Sequence, residues 1–197
     1  VKQLGFTPVI LDVEEHSGLI NIDNLNNNIN ENTKFYINTD AYGVIHRLEE
    51  KLDIQVITVA SQCEQYSYFS DYIICSLEDN SLVTARGGAV LAFDSKDILD
   101  EFNKSSEVYA ENRISPLNCS FGLSQLTDLE TSIDNQYKII DVYNESILKS
   151  GYFTFNSTNL CINTRFPVVI NKGVNDIISY IKHNGVESQR AFSSSII

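Results

Sequence analysis

Residues 71–93 constrain the fold more than any other stretch of the sequence. They contain a short apolar run, a polar turn, the pattern Thr84-x-x-Gly87-Gly88 and a second apolar run. Short apolar runs bounded by turn residues are typical of buried strands. The sequence therefore predicts two buried strands joined by a structured loop, and a loop of this kind can hold a ligand.

The segments before this stretch alternate between strand and helix patterns. Apolar runs predict strands at residues 7–13, 34–38 and 54–57, and helical spacing predicts helices at residues 21–32 and 44–52. Strand, helix and strand in alternation are typical of a parallel sheet with right-handed crossover connections. We therefore expect an α/β fold.

The second half of the sequence is mostly helical in pattern. A short helix is predicted at residues 97–103. From Cys119 onward, apolar residues recur at every third or fourth position as far as Gly151, which predicts one long helix that ends at the glycine. A strand at residues 166–170 and a short helix at residues 175–184 are predicted to follow.

Composition and charge exclude several classes of function. The chain has 197 residues, of which 43% are hydrophobic and 20% are charged, so it can build a core. Its formal net charge of −12 disfavours nucleic acid as a partner, because binding phosphate needs clustered Lys and Arg. No apolar run approaches the roughly 20 residues of a membrane span, and the first residues lack the pattern of a signal peptide. We therefore expect a cytoplasmic protein with neither a nucleic-acid nor a membrane partner.

The cysteines give no sign of a metal site or of a disulfide framework. They lie far apart and form no Cys-x-x-Cys pair. We expect buried, reduced thiols and no bound metal at these four positions: Cys63, Cys75, Cys119 and Cys161.

The whole pattern resembles the DegT/StrS family of sugar aminotransferases, which are pyridoxal-phosphate enzymes of the aspartate-aminotransferase (type I) fold. Within residues 71–93, the matching positions are Asp71, Ser76, Leu82, Thr84, Gly87 and Gly88. Gly122-Leu123-x-Gln125-Leu126 matches the family's Gly-Leu-x-Gln-Leu. The resemblance implies a three-layer α/β fold in truncated form. Residues 1–118 would form a truncated large domain, and residues 119–197 a connecting helix with part of a small α+β domain.

The resemblance also assigns the cofactor positions. Ser81 stands, within one residue, where the family has its Schiff-base lysine, and Val59 stands where an Asp pairs with the pyridinium nitrogen. A serine hydroxyl cannot form an imine, and valine cannot keep the ring nitrogen protonated. Ser76 matches a family serine that contacts the cofactor phosphate, and Gln62 matches a family glutamine near the ring hydroxyl. These two residues are the predicted remnant of the cofactor-binding site. Arg86 is either a new anion contact or an exposed loop arginine.

Three functions stay open at this point. The first, which we prefer, is a degenerate pseudoenzyme without bound cofactor that has a structural or interaction role, as a homodimer or as a heterodimer with a complete paralogue. The second is an enzyme of nucleotide-sugar metabolism for surface polysaccharide, which would use pyridoxal phosphate with a site completed by a partner, or altered chemistry. The third is a binding module with a nucleotide-sugar or phosphate site near Ser76 and Gln62.

Overall fold

A four-stranded sheet forms the centre of the computed structural model, which describes residues 1–40, 42–44, 48, 50–60, 69–106, 113–155 and 165–191. The strands, which lie side by side in chain order, are β1 (Phe35–Asp40), β2 (Gln55–Ala60), β3 (Tyr72–Ser76) and β4 (Ala89–Ala92). β2 is parallel to both β1 and β3, whereas β4 is antiparallel to β3. The expected α/β class is confirmed. A wholly parallel sheet is not, because the loop after β3 returns the chain directly alongside it.

Two helices begin at residues whose side chains cap them. The Asn21 side chain accepts a hydrogen bond from the Asn24 amide at the start of α1, and Ser115 does the same for Asn118 at the start of α3. No helix in the described ranges is both apolar and long enough to cross a bilayer. The helices are α1 (Ile22–Asn28), α2 (Lys96–Ser106), α3 (Pro116–Gln125), α4 (Leu129–Ser150) and α5 (Val174–His183).

The single long helix predicted from Cys119 is divided in the structure. A 3₁₀ turn at Leu126–Asp128 separates α3 from α4. Because such a turn has nearly the same side-chain spacing as an α-helix, the apolar pattern continues through it and does not reveal the break. Gly151 ends α4 with a φ of 77°, as the sequence predicts.

Two predicted strands are wrong. Residues 7–13 and 166–170 form no ladder, and each makes only an isolated bridge, Val13 with Ile20 and Val169 with Phe153. Val9 is 67% exposed, so this apolar run is not a core strand. An apolar run becomes a strand only when a neighbouring strand pairs with it. Of the helix predicted at residues 44–52, residues 45–47 and 49 lie outside the described residues, and the other five are not helical, so the prediction is wrong for the part that is described.

In β1 and β2, one face of the sheet is buried. β1 and β2 alternate between buried and more exposed residues, as expected when successive side chains point to opposite faces. Leu25 of α1 packs on the covered face together with Leu48. The buried side chains of that face are Tyr36, Asn38, Asp40, Val56, Thr58 and Ala60.

The opposite face, which we call the open face, is partly exposed to solvent. Ile37 of β1 is 40% exposed, and Val59 of β2 is half-buried. β3 is half-buried along its length, and β4 is mostly exposed. Residues 71–93 therefore contain two strands, as predicted, but the prediction that both strands are buried is wrong.

Candidate functional site

The open face brings two of the predicted site positions together at the carboxyl ends of β2 and β3. Val59 is paired with Ile74 across the ladder, and Ser76 follows Ile74 by two residues. Side chains alternate along a strand, so Val59 and Ser76 lie on the same face, about 7–8 Å apart by ordinary strand spacing. The carboxyl edge of parallel strands is the usual position of a ligand in an α/β sheet. The edge therefore has the right location for a site.

Ser81 lies next to Ser76. Its hydroxyl donates a hydrogen bond to Ser76 Oγ at 3.0 Å, and the Glu78 amide donates a second one to the same oxygen at 3.2 Å. The Ser81 amide in turn donates to the Glu78 carbonyl at 2.9 Å. Both serine side chains are half-buried. We call them the hydroxyl pair, and with Val59 they define the candidate site.

The loop that follows Ser76 and carries Ser81, residues 77–88, is closed by backbone bonds at its base. The Leu77 carbonyl accepts hydrogen bonds from the amides of Ala85 and Gly87, at 2.8 and 3.1 Å. The Leu77 amide donates to the Gly88 carbonyl at 3.0 Å. These contacts make the loop a structured element, as the sequence predicts.

Gly88 allows a close approach that only a glycine can provide. Its φ is +89°, and a Cβ placed on it would lie 2.6 Å from Cγ1 of Ile114. The space beside this glycine is therefore occupied by a side chain of the chain itself. The requirement for glycine here is explained by packing alone.

Helix α3 contacts the loop directly. Gln125 accepts a hydrogen bond from the Thr84 amide at 3.2 Å and donates one to the Thr84 carbonyl at 2.6 Å. Gly122 is buried against the loop, and a Cβ added to it would lie 3.5 Å from Ala85 Cβ. Sequence reasoning matched both α3 residues to the family pattern but did not place them at the site. The only hint in the sequence was that both residues belong to the same family motif, Gly122-Leu123-x-Gln125-Leu126.

Arg86 is an exposed loop arginine whose partner is aromatic. It has a left-handed φ of 56°, and its guanidinium carbon lies 5.8 Å from the centre of the Phe121 ring of α3. This separation is within the range of cation–π attraction. Of the two alternatives for Arg86, the exposed arginine agrees with the structure, and an anion contact stays a prediction.

Asp71 has a structural contact set. Its carboxylate accepts a hydrogen bond from the Val56 amide at 2.8 Å and lies 3.7 Å from the Lys51 ammonium. The Asp71 amide donates to the Val56 carbonyl at 2.9 Å. Asp71 therefore joins β2 to the start of β3, and these contacts account for its presence without a ligand.

A buried row of polar side chains runs along β1 on the covered face. The Tyr36 hydroxyl donates to Asn38 Oδ1 at 3.2 Å, and Asn38 Nδ2 donates to Asp40 Oδ1 at 3.1 Å. Burial, together with the negative charge of Asp40, raises the pKa of Tyr36 well above its usual value. These polar groups point away from the open face, so they stabilise the core and are not part of the candidate site.

The thiols of the described residues differ from the prediction in one case. Cys75 is half-buried, and burial raises the pKa of its thiol. Cys119 is exposed, so the expectation that it is buried is wrong. No cluster of three or more metal-binding side chains occurs in the described ranges. Cys63 and Cys161 lie outside those ranges.

The residues of the site do not fit covalently bound pyridoxal phosphate. The group needs a primary amine for its aldehyde and a carboxylate for its ring nitrogen. Ser81 offers only a hydroxyl, which is hydrogen-bonded to Ser76, and Val59 offers only an aliphatic side chain. Ser76 retains a hydroxyl that could contact a phosphate, and Gln62 lies outside the described residues. The donor set allows phosphate contact and does not allow imine formation.

Comparisons with known proteins bear directly on the predicted family. Residues 1–58 match the DegT/DnrJ/EryC1/StrS aminotransferase family. The chain is also 24% identical, over 95% of its length, to dTDP-4-amino-4,6-dideoxy-D-glucose transaminase from Escherichia coli. The predicted resemblance to the family is confirmed. The chain spans 59% of the length of that relative.

Solved structures confirm the predicted fold class. Helicobacter pylori PseC, an aminotransferase involved in the biosynthesis of pseudoaminic acid, superimposes with a TM-score of 0.73 at 14% identity, over 93% of this chain and 59% of PseC. DesI, solved in the presence of its TDP-sugar product, gives a TM-score of 0.71 at 15% identity, over 94% of this chain and 55% of DesI. The chain has the type I fold of the pyridoxal-phosphate aminotransferases.

Proposed function

We propose that this chain is a sugar-aminotransferase-like protein that does not transaminate and that has a structural or interaction role. One observation carries the proposal: Ser81, which stands within one residue of the family's Schiff-base lysine in the sequence pattern, has its hydroxyl hydrogen-bonded to Ser76 at 3.0 Å. Pyridoxal phosphate supplies an electron sink when it is bound through an imine, and a hydroxyl cannot form that bond. The proposal therefore depends on the site having a hydroxyl where an amine is needed.

Val59 supports the same conclusion independently. It is half-buried on the open face beside the hydroxyl pair, where a carboxylate would be needed to pair with a ring nitrogen. Lys96 is the first lysine that follows Ser81 in the sequence, and it stands at the start of α2, beyond the end of β4. Replacing either Ser81 or Val59 alone would therefore leave the chemistry incomplete.

The interaction role is supported by the apolar surface that the chain exposes. Leu117 and Leu123 of α3 are 79% and 65% exposed, and Val142 of α4 is 66% exposed. Apolar exposure on neighbouring helices is typical of surfaces that contact another chain. We propose that the chain associates through α3 and α4, with a second copy or with a complete paralogue. A division of the chain between residues 118 and 119 stays a prediction.

A phosphate-binding module is the second candidate, and the hydroxyl pair favours it. Ser76 Oγ accepts two hydrogen bonds, and within the described ranges its proton has no acceptor, so it can be donated outward. A nucleotide sugar or a phosphate could receive that bond at the carboxyl edge of the sheet. Like the first candidate function, this one does not include transamination.

A transaminase assay tests the proposal. The chain, a Ser81→Lys variant and a Ser81→Lys/Val59→Asp double variant are supplied with pyridoxal phosphate, an amino donor and a dTDP-4-keto sugar. We expect no turnover in the wild type or in the single variant, because Val59 still leaves the ring nitrogen without a carboxylate. Turnover in either of them would contradict the proposal. The double variant shows whether restoring the lysine and the carboxylate is enough to restore transamination.

The interaction role has its own test. Light scattering on the purified chain, alone and mixed with a complete paralogue, should give the mass of a dimer or of a one-to-one complex. A monomer under both conditions would contradict the interaction role. Binding of inorganic phosphate that is lost in Ser76→Ala would then favour the binding module.

A further inference from the structure

The position of loop 77–88 is set by contacts on two sides. At its base, the amides of Ala85 and Gly87 bond to the Leu77 carbonyl. On the other side, Thr84 bonds through both its amide and its carbonyl to one side chain of α3, that of Gln125. A side-chain amide that pairs with both groups of one residue fixes the position and the orientation of that backbone. The loop is therefore attached to α3 at its middle.

The surroundings of Gln125 hold it in place for this role. Its Nε2 also donates to the Phe121 carbonyl one helical turn earlier, at 3.0 Å, which fixes the orientation of the amide. Gly122 brings the helix so close that an added Cβ would lie 3.5 Å from Ala85 Cβ. Arg86, in a left-handed conformation, stacks over Phe121. Three successive loop residues, 84–86, thus contact one face of α3.

We infer that Gln125 is a positioning residue: its amide sets the conformation of loop 77–88 from α3, and thereby holds Ser81 against Ser76. These contacts of the loop lie within the chain. This inference is independent of the proposed function, since it concerns how the site is held and not what the site binds. It also means that the site is built from both sides of the boundary predicted between residues 118 and 119.

Amide hydrogen exchange in the intact chain, measured by NMR, tests the inference with a Gln125→Ala variant. Thr84 loses its own hydrogen bond in this variant, so faster exchange there shows only that the bond was real. Ala85 and Gly87 are the informative amides, because they bond to Leu77 and not to Gln125. We expect exchange at both to accelerate about tenfold to a hundredfold, since the loop is free to open locally.

The matched control is Ser124→Ala. Ser124 precedes Gln125 on α3 and is exposed, and its hydroxyl bonds only within the helix, to the Phe121 carbonyl at 2.8 Å. Exchange at Ala85 and Gly87 should not change in this variant. If Gln125→Ala accelerates exchange at Thr84 alone, or has the same effect as the control, Gln125 makes a local bond and does not position the loop, and the inference is wrong.

A Gln125→Glu variant provides a second test, which also applies if the alanine variant fails to fold. The glutamate has nearly the same shape and can still accept from the Thr84 amide, but its ionised form cannot donate to the Thr84 carbonyl. Protection at Ala85 and Gly87 should therefore be reduced near pH 7. It should recover as the pH falls towards the carboxyl pKa, ordinarily about 4.3, because the protonated form can donate again. A pH-independent result, after correction for the intrinsic exchange rate, would overturn the inference.

Discussion

The two faces of the sheet differ in how much they depend on their exact residues. The covered face excludes water from Val56 and Thr58, which are fully buried, whereas the open face leaves Val59 half-buried and Ile37 40% exposed. Two positions that the resemblance assigns to the cofactor, Val59 and Ser76, lie on the open face. Because the fold depends mainly on the covered face, substitutions on the open face can change its chemistry while the fold remains.

The largest expected loss of stability is at Gly88. This residue is exposed, so the loss does not follow the difference between the covered and the open face. In Gly88→Ala the new methyl group would lie 2.6 Å from Ile114 Cγ1, at a φ of +89°. We expect a loss of about 2–4 kcal/mol in the free energy of unfolding, measured with urea, from the clash and the strained backbone together. Gly87→Ala is the control, since no atom lies within 4 Å of its added Cβ and only strain remains.

The Gly88→Ala prediction also specifies its own rescue. A second substitution, Ile114→Ala, removes the side chain that the methyl group would meet, so the double variant should be less destabilised than the sum of the two single variants. Simple additivity would show that the contact with Ile114 is not the cause. The glycine would then be required for its backbone conformation alone.

The second prediction compares the two faces within one strand. Val56→Ala, on the covered face, should cost about 2–3 kcal/mol in unfolding free energy, because it empties a fully buried site. Val59→Ala, three residues later on the open face, should cost less than about 1 kcal/mol, because the side chain is only half-buried. Equal costs in urea unfolding would show that the open face is covered in solution.

The third prediction uses the polar row on the covered face. The pKa of Tyr36 is raised in the folded state, so the unfolded chain loses the tyrosine proton first as the pH increases. The free energy of unfolding should therefore be constant with respect to Tyr36 below pH of about 10 and should fall above it. Tyr36→Phe should remove this dependence and cost about 1 kcal/mol near pH 7 for the lost bond to Asn38. Tyr180→Phe, at a 71% exposed position, is the control.

The smallest effect is expected on α3. An added methyl group at Gly122 would lie 3.5 Å from Ala85 Cβ, which is ordinary van der Waals contact. Because alanine is the better helix former, Gly122→Ala should leave the free energy of unfolding unchanged or raise it by up to about 1 kcal/mol. A clear destabilisation in thermal unfolding would mean that the loop lies closer to α3 in solution than in the structure.

Much of the fold could be predicted from the sequence, because several elements carry their own local pattern. β1, β2 and α5 each show the periodicity of their secondary structure, and the polar segment between β3 and β4 marks a turn. The pairing of strands is not local information. Residues 7–13 have the composition of a strand and no partner, and nothing in residues 71–93 alone fixes the direction of β4.

The candidate site was predictable to a similar extent. Ser76, Ser81 and Val59 could be chosen from the resemblance, and the structure brings them to the carboxyl edge of the sheet. The contact between Thr84 and Gln125 could not, since the two residues are 41 positions apart and only the fold brings them together. Gln62 was also predicted, and it lies outside the described residues.

The most direct test of the central claim is a search for an imine. The purified chain is mixed with one equivalent of pyridoxal phosphate, its absorbance spectrum is recorded, and borohydride reduction is followed by mass spectrometry of the peptides. Our account predicts no aldimine band and no single labelled lysine, whereas Ser81→Lys should take the label at position 81. A stoichiometric adduct on one lysine of the unmodified chain would contradict the account, since the chain would then possess a Schiff-base residue.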